Sequence, residues 1–133
     1  IGLDELAVVK DYLARRLGDI NPHSLISIRR RAVRLGVWWR VDAVKRALVD
    51  AVILYVKGGG VVKSPSLRAA LRQIALEVLA LMLARRLKLV AYLIGQRLIQ
   101  RLGWVREVVK GPKDIVSIGL MWMNTPNWYR PDV

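Results

Sequence analysis

The sequence predicts an all-α, elongated fold: two long helices, shorter helices towards each terminus, and an extended C-terminal tail. Three observations predict it. Asn21-Pro22 and Ser64-Pro65 each pair an N-cap side chain with a proline suited to the first helical turn. Gly18, the Gly58-Gly59-Gly60 triplet and Gly103 are the stop signals that follow. Between starts and stops, apolar residues recur at helical spacing.

In chain order, residues 3–17 form the first helix, with Leu6, Val9, Leu13 and Leu17 on one side. Asp4 and Glu5 suit its positive end, and Arg15 and Arg16 its negative end. Residues 22–56 can run as a second helix in which Gly36 is the only possible break, a site for a kink or a close contact. Residues 65–102 read as a third helix, and the chain is organised around it. At 35 and 38 residues, these two would be roughly 52 and 57 Å long. A compact globule of this size has a radius of gyration of only about 14 Å. Such helices bend sharply or belong to an elongated building block covered by its neighbours. Residues 104–110 are ambiguous between a helical turn and a short strand, 114–123 form a short fourth helix, and 124–133 are extended around Pro126 and Pro131. The 133 residues suggest one nucleic-acid-coating domain: N-terminal helices in 1–57, the long third and short fourth helices in 61–123, and the tail in 124–133.

Charge sets the class of partner. The formal net charge is +13 and the pI about 11.1, which points to nucleic acid or an anionic membrane surface. Yet 54% of residues are hydrophobic and mean hydropathy is +0.29, which excludes a disordered basic tail. The 16 arginines against 7 lysines favour bidentate, partly desolvated phosphate contacts. A spanning helix needs roughly 18 to 20 uncharged apolar residues, and no uncharged run within the third helix is longer than eight.

On the third helix Arg68, Arg72, Arg86, Arg97 and Arg101 fall within about 60° of one another at 100° per residue. Nearly opposite lie Ala70, Ala84, Ala91 and Gly95, small residues that admit a close neighbouring helix. On the second helix Arg30, Arg34 and Lys45 lie within about 60° by the same arithmetic, while Arg29, Arg31, Arg40 and Arg46 spread more widely. Lines of arginine neutralise phosphates without reading sequence. Readers of base edges usually add Asn or Gln on a short recognition helix, and this chain has few of either.

Catalytic and metal chemistry finds little support. The chain has no cysteine, its single histidine, His23, stands at a helix start, and its ten acidic residues are scattered apart from Asp4 and Glu5. No cofactor is expected. Gly58 to Ser64 resembles a phosphate-binding loop only in outline, because it follows a helix and Val62 replaces the glycine before the lysine; it reads as a linker. Trp38 and Trp39 cannot both face inward, so one is a core residue and the other an intermolecular anchor or a base-stacking surface. Trp122, Trp128 and Tyr129 read as an apolar arm that lies on a neighbouring subunit.

Cysteine-free, basic and helical throughout, with Arg29-Arg30-Arg31 and Arg34 on the second helix, a long apolar third helix and an aromatic tail, the chain resembles the major capsid proteins of filamentous and rod-shaped archaeal viruses. The resemblance is one of architecture and rests on no diagnostic motif. It implies a structural coat protein, not an enzyme, paired with itself or with a similar second coat protein. Its helices would wrap double-stranded DNA, hold it in A-form, and package it in the helical nucleocapsid of a virion assembled in the host cytoplasm, with envelope lipid as a further neighbour. By that analogy Arg29, Arg30, Arg31, Arg34, Arg68, Arg72, Arg86, Arg97 and Arg101, together with Lys45 from the basic line, would face phosphates. Trp38, Ala84, Ala91, Gly95, Trp122, Trp128 and Tyr129 would contact other subunits. The apolar segment 74–84 interrupts the arginine line and belongs to a core or to an envelope-facing surface. Two other classes fit the same composition: an RNA-binding subunit of an archaeal ribonucleoprotein and a basic membrane-surface protein.

Overall fold

A computed structural model describes residues 3–103 and 109–124. These are all-helical, with no strand among them: α1 (Leu3–Arg16), α2 (Pro22–Arg34), a 3-10 turn (Trp38–Arg40), α3 (Ala43–Lys57), α4 (Pro65–Leu83), α5 (Leu87–Leu102) and α6 (Pro112–Asn124). The ambiguous 104–108 and the tail 125–133, with Trp128 and Tyr129, lie outside the described residues. None of the described helices is long and apolar enough to cross a membrane.

Each predicted long helix is in fact two. The 22–56 stretch breaks at Gly36, whose φ of 73° is left-handed and strained for any side chain. The Gly36 N–H donates to Val33 O at 3.0 Å and the Val37 N–H to Ala32 O at 3.1 Å, the paired bonds of a Schellman C-cap. The chain then makes the 3-10 turn and restarts with Asp42 as N-cap, its Oδ1 accepting from the Val44 N–H at 2.9 Å. Trp38 and Trp39 thus occupy a turn and not a helix.

The 65–102 stretch breaks at 84–86, without glycine or proline. Arg86 has φ −96° and ψ 82°, outside the helical region, and its N–H donates to Leu83 O at 2.8 Å. Leu71, Ile74, Val78 and Leu81 are buried on one side of α4, and Leu76 and Ala80 on the other, so α4 is enclosed on two sides. Much of 74–84 is buried, so that segment is core.

The chain forms two compact units. One comprises residues 13–82, in which α3 folds back along α2: Arg29 meets Asp50, and Ile26 lies across a cleft from Ile53. A second Schellman cap closes α3, with the Gly59 N–H on Val56 O at 3.0 Å and the Gly60 N–H on Tyr55 O at 2.9 Å. The Gly58-to-Ser64 segment is a linker, as its sequence suggests, and Ser64 Oγ accepts from the Leu67 N–H at 3.3 Å to begin α4.

The other unit comprises 1–12 and 83–133, and its described centre is the α5–α6 pair. A Cβ on Gly95 would run into the Ile115 carbonyl, and one on Gly119 into that of Ala91. The two helices therefore pack backbone to backbone and antiparallel, through Ala91 and Gly95 on one side and Ile115 and Gly119 on the other. Trp122 is buried in the same unit.

Gly95→Ala and Gly119→Ala are each expected to destabilise by about 1–3 kcal/mol, the range for overpacking a filled interface. Gly111, with open space at its Cβ position, is the control: Gly111→Ala should change stability by no more than about 1 kcal/mol. Thermal unfolding followed by circular dichroism distinguishes them.

Candidate nucleic-acid interface

Unit 13–82 carries a dense set of outward cations. Arg30 and Arg34 stand one turn apart on α2 and are exposed, as is Arg31. A cleft of about 220 Å³ between α2 and α3 is lined by Ile26, Arg29, Arg30, Val33, Arg34, Ile53 and Lys57. Lys57 enters from the last turn of α3, because α3 runs back along α2. Among the described residues Arg29 is the only one of these cations joined to a carboxylate: its Nε donates to Asp50 Oδ1 at 2.6 Å, and its guanidinium lies 5.5 Å from the Trp38 ring centroid. Arg30, Arg34 and Lys57 therefore form a row of unneutralised charge over an apolar floor of Ile26, Val33 and Ile53. Arg31 and Arg34 also sit in the last turn of α2, where a cation complements the helix dipole. That effect is satisfied by one or two charges and does not require the row.

A second basic cleft, of about 590 Å³, lies at the other end of α2, lined by Asp19, Asn21, Pro22, Pro65, Arg68 and Arg72 among others. It brings the starts of α2 and α4 beside two arginines one turn apart. His23 is exposed, and its backbone N–H caps onto Asn21 Oδ1 at 3.0 Å.

The five-arginine line is not realised as one helix face. Arg68 and Arg72 belong to α4 and unit 13–82, Arg86 to the break before α5, and Arg97 and Arg101 to α5 in the other unit. Arg97 is also engaged internally, its Nη1 donating to Asp11 Oδ2 at 2.6 Å with both side chains partly buried. Lys45 donates to Glu77 Oε2 at 2.9 Å, which with the attraction between the two charges raises the lysine pKa above its ordinary value. Its charge is thus matched within unit 13–82 and does not join the row of Arg30 and Arg34.

The residues expected at subunit contacts fare differently. Trp38 is 2% exposed, Ala84 and Trp122 are buried, and Ala91 and Gly95 pack on α6 of the same chain. The small-residue seam does admit a close helix, but that helix comes from within the chain. Trp39 is the exposed member of its pair at 64%, with the Arg46 guanidinium 5.1 Å from its ring centroid.

Sequence reasoning missed Lys57 and Gly119. Lys57 becomes a neighbour of Arg30 only once the Gly36 turn is taken as a full reversal. Gly119 carried no small-residue signal, since the residues four away from it, Ile115 and Met123, are large, whereas Gly95 sits four from Ala91. The chain matches no family model, no curated protein and no solved structure.

Arg97→Gln and Asp11→Asn should each lower stability by up to about 1 kcal/mol, the scale of a partly exposed ion pair, while leaving polyanion affinity nearly unchanged. Combining them should lose less than the sum of the two, which a double-mutant cycle of denaturant unfolding will report.

Proposed function

We propose that this chain is a structural coat protein that binds double-stranded DNA through arginine and lysine contacts to phosphate, independent of sequence. The observation that carries the reading is the unneutralised row of Arg30, Arg34 and Lys57 in a chain of net charge +13. Like charges gathered along one cleft repel one another unless a polyanion lies against them. Arg68 and Arg72 at the far end of α2 offer a second phosphate contact about 18 Å away along that helix. The scarcity of Asn and Gln supports backbone binding over base readout.

In the fuller form suggested by the resemblance to filamentous and rod-shaped archaeal virus capsid proteins, the subunit is elongated. It pairs with itself or a paralogue, holds the duplex in A-form, and repeats along it as a helical nucleocapsid in a virion. The role is structural, not catalytic.

A second reading is an RNA-binding subunit of a ribonucleoprotein. Trp39 favours it, since an exposed indole backed by Arg46 and followed by Arg40 offers a face on which an unpaired base can stack.

The deciding experiment mixes the purified chain with long duplex DNA and with RNA over a range of salt and images the products by electron microscopy. The coat reading expects regular filaments on duplex DNA of any sequence and affinity that falls steeply with salt. Arg30→Gln, Arg34→Gln and Lys57→Gln should each reduce the slope of log affinity against log salt by about 1, with helicity unchanged. Unaltered slopes would remove the row from the interface. Discrete particles on structured RNA, weakened by Trp39→Ala, would favour the second reading.

A further inference from the structure

The outer face of α3 in unit 13–82 is apolar and uncovered. Val44 is 77% exposed and Leu54 72%, with Tyr55 and, just beyond the helix, Val61 also exposed. Ala47 and Ala51 lie between them on the same face, at the 3–4–3 spacing of a helix seam, and are exposed too. Leu48, Ala51, Tyr55, Val61 and Leu67 continue this face into an open cleft of about 830 Å³. No ionised side chain stands on the line of Val44, Ala47, Ala51 and Leu54, although charged residues make up 25% of the chain. A polyanion gains nothing from such a surface.

We infer that this face is the contact between two copies of the chain, paired antiparallel about a two-fold axis through α3. The sequence of the face reads the same in both directions by size: a large residue, two alanines, a large residue. With the axis crossing the seam at the level of position 49, Val44 of one copy lies over Leu54 of the other, and Ala47 lies over Ala51. The small pair lets the helices approach at the centre while the large residues close both ends, and Tyr55 falls over the exposed Ala43 of the second copy. An isologous contact of this kind uses one patch twice and closes on itself. Covering these side chains removes roughly 500 Å² from each copy, about 1,000 Å² for the pair, which reaches the lower bound for a specific interface. The pairing supplies the partner that the coat reading requires and rests on that reading for its role, but its geometry is independent of nucleic acid.

The absence of cysteine from the chain makes the register directly testable. Val44→Cys and Leu54→Cys are prepared as separate full-length proteins, mixed, and oxidised without nucleic acid. The antiparallel register predicts disulfide-linked dimers from the mixture and almost none from either variant alone, because two copies of residue 44 would lie about 15 Å apart along the axis, beyond disulfide reach. Cross-linking of either variant with itself, or none in the mixture, overturns the register. Sedimentation equilibrium of the unaltered chain should show a dimer at micromolar concentration, and Leu54→Arg a monomer of unchanged helicity; an unaltered chain that stays monomeric overturns the pairing. Duplex binding is scored separately. A dimer without affinity for DNA would reject the coat reading alone, and a monomer that coats DNA would reject the α3 seam alone.

Discussion

The left-handed turn at Gly36 is the constraint on which unit 13–82 depends. Without it, residues 22–56 would continue as one helix, with Arg29 and Asp50 about 30 Å apart along its axis. With it, α3 returns along α2, Arg29 reaches Asp50 at 2.6 Å, and Trp38 is enclosed beneath the same guanidinium. The two bonds of the Schellman cap hold the reversal in place. A side chain at position 36 would oppose the φ of 73° that the turn needs, even though its Cβ would meet open space. The penalty there is one of backbone conformation and not of packing.

The cations fall into two populations. Arg29, Lys45 and Arg97 are matched with Asp50, Glu77 and Asp11, contacts that fix one element against another within a unit. Each pair is partly exposed, so its contribution to stability is on the order of 1 kcal/mol at most, and fixing geometry is its larger effect. The Arg29–Trp38 and Arg46–Trp39 contacts, about 0.5–1 kcal/mol each at such sites, act in the same way. Arg30, Arg34 and Lys57 have no such carboxylate among the described residues. Their charges lie unmatched along one cleft, and on the proposed coat reading that row is where phosphate would bind.

Much of the helical content was legible, since it follows from local chemistry. Asn21 and Ser64 as caps, the stops at Gly18 and Gly103, and the short helix after Gly111-Pro112 all appear at or within two residues of their predicted places. Gly36 was visible as a possible break, but a glycine inside an apolar pattern does not reveal whether it kinks a helix or reverses it. The break at 84–86 carries no glycine or proline, so nothing local in the sequence marks Arg86 as the residue that leaves the helical region. The arginine line therefore misled, because its 100° steps presuppose one continuous helix, whereas α4 ends at Leu83 and α5 begins at Leu87. Within each shorter helix the same arithmetic holds, which is why Arg30 with Arg34, and Arg68 with Arg72, remain on shared faces. The seam was legible as a place of close approach, whereas the identity of the approaching helix was not. Small residues state how near a neighbour comes, and only the fold states which neighbour it is.

The two surfaces of α3 bear on each other. Ile53 and Lys57 line the basic cleft, while Val44, Ala47, Ala51 and Leu54 face outward, roughly 120° away around the same helix. One helix thus carries a side turned to the basic cleft and a side free of charge. If the seam pairs two chains, each pair presents two rows of Arg30, Arg34 and Lys57 related by a two-fold axis. A long polyanion that engages one row meets the second at high effective concentration. Affinity then rises with pairing, and by linkage the polyanion promotes pairing in return. A chain with weak individual phosphate contacts and a seam at the lower bound of interface size would assemble mainly where both conditions are met, on a long polyanion, and remain dispersed elsewhere.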